Sequence, residues 1–365
     1  MTNLLARDWL LDRSSAPMEP GGILWHAPST VFQAPGGGEN QLVQTGAQLE
    51  EQGISIRLFS RWVDRIDQAQ LVHLFGMSRE GLEMARLART RGVPVVLSPI
   101  CWFEPAALMA LARSPIHSAF DLAKWAARRT CPRLPSWRRE LLALADAILP
   151  NSRAESDQLV ALFAADPRKI RVVPNGVQPG FATADPSLFR QTYGDEDFVL
   201  YAGRIEPRKN VLGLIEALRP NGRPLVVLGE SPPGHEAYLA ACRQAGQGFV
   251  RWLGRVEHDD PLLASAYSAA RVFALPSWFE TPGLAALEAG LAGTAVVITP
   301  FGCTREYFGT RVDYARPDQP KSIRRAIETA WADGPDPELA PHLAEHFPWS
   351  KVARITAEVY EYITA

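Results

Sequence analysis

Along the chain, short apolar runs alternate with longer segments in which apolar residues recur every three or four positions, the pattern of strands feeding helices around parallel sheets. In the first half, Ile23–His26, 54–59, Leu71–Phe75, Val95–Ser98, 147–149 and 170–173 read as strands. The intervening periodic stretches 39–52, 79–91 and 119–145 read as helices, and Ser152 followed by Glu155 predicts another helix start. A second series follows: strands 198–202, 224–228, 250–253, Val272–Leu275 and 295–299, with helices Val211–Leu218, 262–270 and 283–291. The turn-rich stretch 174–184 separates the two series. This predicts an α/β chain with one domain over 1–180 and another over 181–347. Residues 348–365 form an amphipathic end whose Val352, Ile355, Val359, Tyr360 and Ile363 need a surface to dock on.

The length, 365 residues, is about twice the usual single-domain size or more, so two cores are expected. A hydrophobic share of 47% with 21% charged excludes a disordered chain. The formal charge of −2 offers nucleic acid no global attraction, so none is expected as a partner. It is a cancellation: residues 1–182 carry 20 basic and 17 acidic side chains, residues 183–365 carry 18 and 23. Between 113 and 140, Arg113, Lys124, Arg128, Arg129, Arg133, Arg138 and Arg139 face only Asp121 and Glu140, with Trp125 and Trp137 among them. Such a stretch is either a surface for an anionic membrane, where lipid-linked acceptors are found, or an ordinary solvated helix. Cys101, Cys131, Cys242 and Cys303 form no CxxC pair, which excludes a zinc ribbon and a disulfide framework. Arg7, Asp8, Asp12 and Arg13 interrupt any signal-peptide core, and no apolar run reaches the roughly 18–20 residues of a membrane span. The expected setting is cytoplasmic, free or peripheral on the inner face of the membrane.

The segment from Leu275 to Glu288 carries the most chemistry. A strand ends at Leu275, a tight loop follows, and a helix opens near Gly283, so free N–H groups and a positive helix end point into the crevice where α/β sheets bind ligands. Glu280 in the loop and Glu288 in the helix are spaced to bracket a polyhydroxy ligand. After another strand, Gly203 allows close approach of a ligand, and Arg204 with Lys209 brings two cations to the same edge. Two cations and a helix start can neutralise a diphosphate, so neither a metal nor another cofactor is expected. Asp195-Glu196-Asp197 has the D-x-D look of a metal site but precedes its strand, at the wrong edge of the sheet. His342 to His346 matches H-x-x-E-H, yet Pro348 follows and no partner segment stands out.

These segments, with Gly254-Arg255-Val256, the E-x₇-E spacing, Gly302 with Glu306, 145–152 and 173–177, resemble the retaining nucleotide-sugar glycosyltransferases of the GT-B fold, family 4. The resemblance implies two Rossmann-like domains facing each other across a cleft, with the C-terminal helix returning to the first. It implies catalytic or leaving-group roles for Arg204 and Lys209, and donor-sugar contact for Glu280. Glu288 would accept from the ribose hydroxyls, and Thr281, Pro282, Gly283 and Leu284 with Gly203 would meet the phosphates. Gly254, Arg255 and Val256 would line the base pocket, and Gly37 and Gly38 in the loop 36–38 would lie over the donor. The implied activity is transfer to a saccharide, lipid-linked or small-molecule acceptor, in polysaccharide or glycolipid assembly. Members commonly carry a His just after the strand that here is Val95–Ser98, and this chain has none, leaving His26 and His117 as the nearest acceptor-side candidates. A sugar-nucleotide epimerase on the same fold and an inactive sugar-binding partner are the alternatives.

Overall fold

The computed structural model describes residues 21–29, 31, 36–112 and 114–365. The first sheet comprises β1 (Ile23–His26), β2 (Ile56–Leu58), β3 (Leu71–Phe75), β4 (Val95–Ser98) and β5 (Ala147–Ile148), all parallel in the order β2-β1-β3-β4-β5. The second comprises β6 (Val199–Ala202), β7 (Leu225–Leu228), β8 (Val250–Gly254), β9 (Val272–Leu275), β10 (Ala295–Ile298) and β11 (Asp313–Tyr314), parallel in the order β11-β10-β9-β6-β7-β8. Strands β3, β4, β6, β7, β9 and β10 are buried along their whole length, which is why they read as continuous Val, Leu and Ile runs rather than alternating ones. In each sheet the chain starts in the middle and winds to both sides. The order therefore reverses between β1 and β3 and between β6 and β9, and the carboxyl ends of those pairs open the ligand crevices of such sheets.

Several elements differ from the sequence reading. The stretch 119–145 is two helices, Pro115–Thr130 and Trp137–Leu144, because Pro132 and Pro135 cannot continue one. Segment 170–173 makes a single bridge, Ile170 to Ile148, and no strand. Ser152 caps its helix by accepting from Glu155 N at 3.0 Å, but the Glu155 carboxylate accepts from Asn151 N and Cys101 N instead of closing a box on Ser152. Helices Ser187–Tyr193, Glu236–Ala245, Pro320–Asp333 and Leu339–His346 escaped the periodicity reading. The N-terminal charges Arg7 to Arg13 lie outside the described residues, as does Arg113.

The chain passes from the first sheet to the second near Val177 and returns near Pro348, and these two passes pair with each other, Val177 N donating to Phe347 O at 2.7 Å. Gly176 packs so closely on the Trp349 ring that a methyl group there would lie 2.5 Å from it. The final helix, Trp349–Thr364, then lies on the first domain against helix Gly37–Glu51. A proton-ordered relay anchors it. Trp25 Nε1 donates to Tyr360 Oη (3.0 Å), that hydroxyl donates to His73 Nδ1 (2.5 Å), and His73 Nε2 donates to Ser98 Oγ (2.9 Å). With both ring nitrogens so committed His73 is neutral, and burial pushes its pKa down to about 3. Among the described residues no helix is long and apolar enough to cross a membrane.

Candidate active site

At the β6/β9 reversal, Gly203 follows β6 with φ +148 and Gly229 follows β7 with φ +147. A methyl group on Gly229 would sit 1.9 Å from Gly203 O, so only glycine fits there. Beyond Gly203 the chain sets out a row of charges. Arg204 and Arg208 both pair with Glu206, at 3.4 and 3.2 Å, and Lys209 Nζ donates to Glu280 Oε1 at 2.6 Å. Arg208 also donates to Phe279 O (3.2 Å) and stacks over the Phe279 ring. Glu280 is buried, which alone would raise its carboxyl pKa. The Lys209 and Arg208 charges outweigh this and hold it below the ordinary value, so the carboxylate is ionised. Arg204 is the more exposed cation, with 38% of its side chain accessible against 14% for Lys209.

The loop after β9 enters helix Leu284–Leu291 through Gly283, whose φ of +95 turns the chain into the helix. Among the described residues, no acceptor meets the N–H groups of Gly283, Leu284 or Ala285, leaving the helix start ready for an anion. The base of the loop is fixed from below. Glu280 bridges to Gly302, where a methyl group would lie 1.9 Å from Glu280 O. Cys303 N donates to the same oxygen, and Asn151 Nδ2 of the first domain donates to Thr281 O at 3.2 Å. Pro282 joins Thr281 through a cis peptide. Glu306 caps the first-domain helix Arg153–Phe163, accepting from Arg153 N and Ala154 N at 2.8 and 2.6 Å.

Glu288 is buried in the same helix. Tyr267 Oη donates to its Oε2 (3.0 Å), and His258 Nε2 lies 2.7 Å from its Oε1. His258 sits in the turn after Gly254-Arg255-Val256. There Gly254 O accepts from Gly229 N (2.6 Å), Arg255 turns to Glu257 (2.9 Å), and Val256 packs on the core.

Opposite stands the first domain. Helix Gly37–Glu51 takes Gly37 and Gly38, expected as a loop, into its first turn behind the N-cap Gly36, with Glu39 accepting from Gly36 N at 2.9 Å. A methyl group on Gly36 would lie 3.5 Å from Arg204 Cζ, and one on Gly37 3.7 Å from Leu284 Cδ1. The glycine loop therefore lies directly against the cation row and the open helix start. After β4, Ile100 occupies the left-handed region at φ +46 and its side chain reaches Gly38. His26 ends β1 at the carboxyl edge, with its pKa lowered by burial against a small opposing pull from Glu80. His117 is exposed and bonded to the capping Ser114, which makes it a helix-cap residue.

The structure thus gathers Gly37, Gly38, Gly203, Arg204, Lys209, Glu280, Thr281, Pro282, Gly283 and Leu284 around one cleft, with Gly254 and Glu288 beside it. Sequence reading missed Glu206, Arg208, Tyr267, His258, Asn40 and Asn151. Only Arg208, flanked by Pro207 and Lys209, carried a local signal. Among the described residues no three His, Cys, Asp or Glu side chains converge as metal ligands, and His342 and His346 bond to backbone carbonyls. The basic stretch is less uniform than its sequence. Lys124, Arg129 and Arg133 are exposed, whereas Arg128, Arg138 and Arg139 are partly buried.

Comparison with known proteins meets this geometry at both domains. The family model for glycosyl transferases group 1 matches residues 196–333, and that for the glycosyl transferase 4-like domain matches residues 17–176. D-inositol 3-phosphate glycosyltransferase of Stackebrandtia nassauensis is 30% identical over 89% of this chain and 86% of its own. Sucrose-phosphate synthase of Thermosynechococcus elongatus shares the fold with a TM-score of 0.75 at 18% identity, covering 93% of this chain and 98% of that one. Anabaena HepE, solved with UDP and glucose, does so at 0.71 and 18%, covering 93% and 99%. With two wound parallel sheets, the cation row, and an open helix start facing a glycine loop, the chain belongs to the GT-B glycosyltransferases of the family 4 type.

Proposed function

We propose that this glycosyltransferase moves a sugar from a nucleoside-diphosphate donor to an acceptor hydroxyl with retention at the anomeric carbon, without needing a metal. The observation that carries the reading is the meeting of Arg204, the Lys209–Glu280 pair and the unbonded N–H groups of Gly283 to Ala285 beneath the first-domain glycine loop. HepE, of the same fold, is solved with UDP-glucose, which makes UDP-sugars the first donors to try.

In this reading Arg204 and the helix start take the charge that grows on the departing diphosphate. Glu280, kept ionised by Lys209, accepts from hydroxyls of the donor sugar and fixes the ring over the phosphates. The acceptor oxygen attacks on the face the diphosphate leaves. The C–O bond to phosphate breaks as the new glycosidic bond forms, and the acceptor proton passes to the departing phosphate oxygen. No protein base is then required at the position where Ile100 stands.

The acceptor side is read as suiting a polyol or saccharide that carries an anionic group. The relatives are named for D-inositol 3-phosphate. Beside the carboxyl end of β4, Arg138 lies over Trp137 and Phe103, Arg79 also over Trp137, and Arg128 over Phe163. None of these three guanidiniums has a carboxylate partner among the described residues. The outer face of helix Pro115–Thr130 is read as a contact for an anionic lipid surface: Ile116 and Phe120 are 81% and 58% exposed, with Lys124 over the Phe120 ring and Arg129 exposed nearby.

The test is incubation with UDP-, GDP- and ADP-sugars, with and without inositol phosphate and other polyol acceptors, in EDTA. Product formation that persists in EDTA, with the donor's anomeric configuration seen by NMR in the product, is the expected result. An inverted product refutes retention, and activity restored only by added divalent metal refutes metal independence.

A further inference from the structure

The geometry points to His258 as a positioning residue that holds Glu288 in register for the donor ribose and ties that seat, through Asn40, to the helix carrying the first-domain glycine loop. The inference rests on the donor reading of Glu288 given above and adds a residue that reading does not use.

His258 Nε2 stands 2.7 Å from Glu288 Oε1 and 3.2 Å from the Asn40 carboxamide. A nitrogen 2.7 Å from a carboxylate oxygen must carry a proton, since two lone pairs would repel at that distance. His258 is therefore the donor, as the Nε2–H tautomer or the imidazolium. Burial alone would lower its pKa, but the Glu288 charge outweighs this and the pKa is raised, which favours the protonated donor. The Asn40 atom that faces Nε2 is Nδ2, and since a protonated Nε2 cannot accept from it, we assign the amide the opposite way round, its oxygen sharing the single Nε2 proton with Glu288. The Phe181 ring meets the imidazole edge-on at 5.7 Å and limits its rotation.

Glu288 is buried, and its Oε2 is already taken by the Tyr267 hydroxyl. The freedom left to the carboxylate is rotation about its last bond, and the His258 N–H stops it. A carboxylate oxygen accepts two hydrogen bonds, so Oε1 can hold His258 and still receive a ribose hydroxyl. Asn40 lies in helix Gly37–Glu51, one turn inside the glycine loop that touches Arg204 and Leu284. One imidazole therefore spans the ribose seat and the lid over the phosphates. That span lets a correctly seated nucleoside favour the closed cleft.

Calorimetric titration with UDP, GDP and ADP first identifies the tightest-binding nucleotide. That nucleotide and its 2′,3′-dideoxy analogue are then titrated into wild type, His258→Ala, His258→Gln and Asn40→Ala. His258→Ala should weaken the ribonucleotide about 10-fold, as expected for losing a charge-assisted hydrogen bond, and the dideoxy analogue less than about 2-fold. His258→Gln, whose amide can donate to Oε1, should recover most of the loss. Asn40→Ala should leave nucleotide affinity within about 3-fold while lowering kcat, because it cuts only the link to the first domain. Equal losses for both nucleotides in His258→Ala, or no loss for either, overturn the inference and leave the donor reading standing. Failure of wild type to bind any of the three nucleotides overturns the donor reading, and the inference with it.

Discussion

The carboxyl edge of the second sheet is crowded with charge: Arg204, Glu206, Arg208, Lys209 and Glu280 form one linked row, and Glu288 with His258 a second cluster. The facing edge of the first sheet offers glycine at 36–38 and an isoleucine, Ile100. The contrast follows from what each edge would meet. A diphosphate leaving group is a fixed, heavily charged object, and a row of preorganised charges is the cheapest structure that complements it. An edge that need only let an acceptor hydroxyl reach the donor carbon is better served by small residues and close approach.

The contrast breaks most visibly at the cation row. Lys209→Ala and Arg204→Ala should each lower kcat/KM by more than about 100-fold with the best donor, whereas a substitution of comparable severity on the facing edge, Ile100→Ala, should cost less than about 10-fold. Equal losses in a steady-state assay would erase the asymmetry. Thermal denaturation should separate the two cations. Lys209→Ala leaves the buried Glu280 with only the longer Arg208 contact at 3.8 Å and should cost about 3 kcal/mol, while Arg204, with 38% of its side chain accessible, should cost under about 1 kcal/mol.

A methyl group distinguishes the edges by stability alone. Gly302→Ala drives into Glu280 O from a position at φ +97, and should destabilise the second domain by several kcal/mol, on the order of 3 or more. Gly36→Ala meets Arg204 Cζ at an ordinary 3.5 Å and should leave the melting temperature nearly unchanged while reducing activity. A fully active Gly36→Ala would argue against the loop's part in covering the donor.

The first domain's buried titratable groups set a smaller effect, read from stability against pH. His73 has its folded pKa near 3, below the unfolded 6.5, so the unfolded chain binds more protons between those values and stability falls as pH drops through them, by about 1.4 kcal/mol per unit. Burial raises Glu155 to about 7 from 4.5, so there the folded chain binds more protons and stability falls as pH rises from about 4.5 to 7. Urea titrations should show the penalty of His73→Gln shrinking as pH falls from 6.5 to 4.5. The penalty of Glu155→Gln should shrink as pH rises from 4.5 to 7. A His73→Gln penalty that does not shrink as pH falls contradicts the first assignment, and a Glu155→Gln penalty that does not shrink as pH rises contradicts the second. The smallest effect is expected at the outer helix, where Ile116→Ser with Phe120→Ser should reduce sedimentation with anionic liposomes a few-fold and leave soluble-acceptor turnover intact.

The fold was legible because parallel strands buried on both faces write themselves as apolar runs: Leu71–Phe75 and Val272–Leu275 fell where the pattern put them. Amphipathic surface helices such as Pro320–Asp333 and Glu236–Ala245 were lost among charges and turn residues. The charged edge was legible as well, since Gly203, Arg204, Lys209, Glu280 and Gly283 lie within two short segments at strand ends. His258, Asn40 and Asn151 were not, because their meaning lies in contacts 30 to 218 positions away in the chain. The arginines from 128 to 139 taught the reverse lesson. A run of like charge in sequence divides, once folded, into cations stacked inward on Trp137, Phe103 and Phe163 and others facing solvent.

The pairing of Val177 with Pro348, backed by Gly176 on the Trp349 ring, gives the molecule a mechanical property. Two bodies joined by one strand can swivel about it as well as bend. When the outgoing and returning strands are bonded side by side and the return is anchored by Tyr360, torsion shears that bond, while bending about the paired line does not. Were the cleft to open, movement about that paired line would return Gly36 to the same guanidinium on closing.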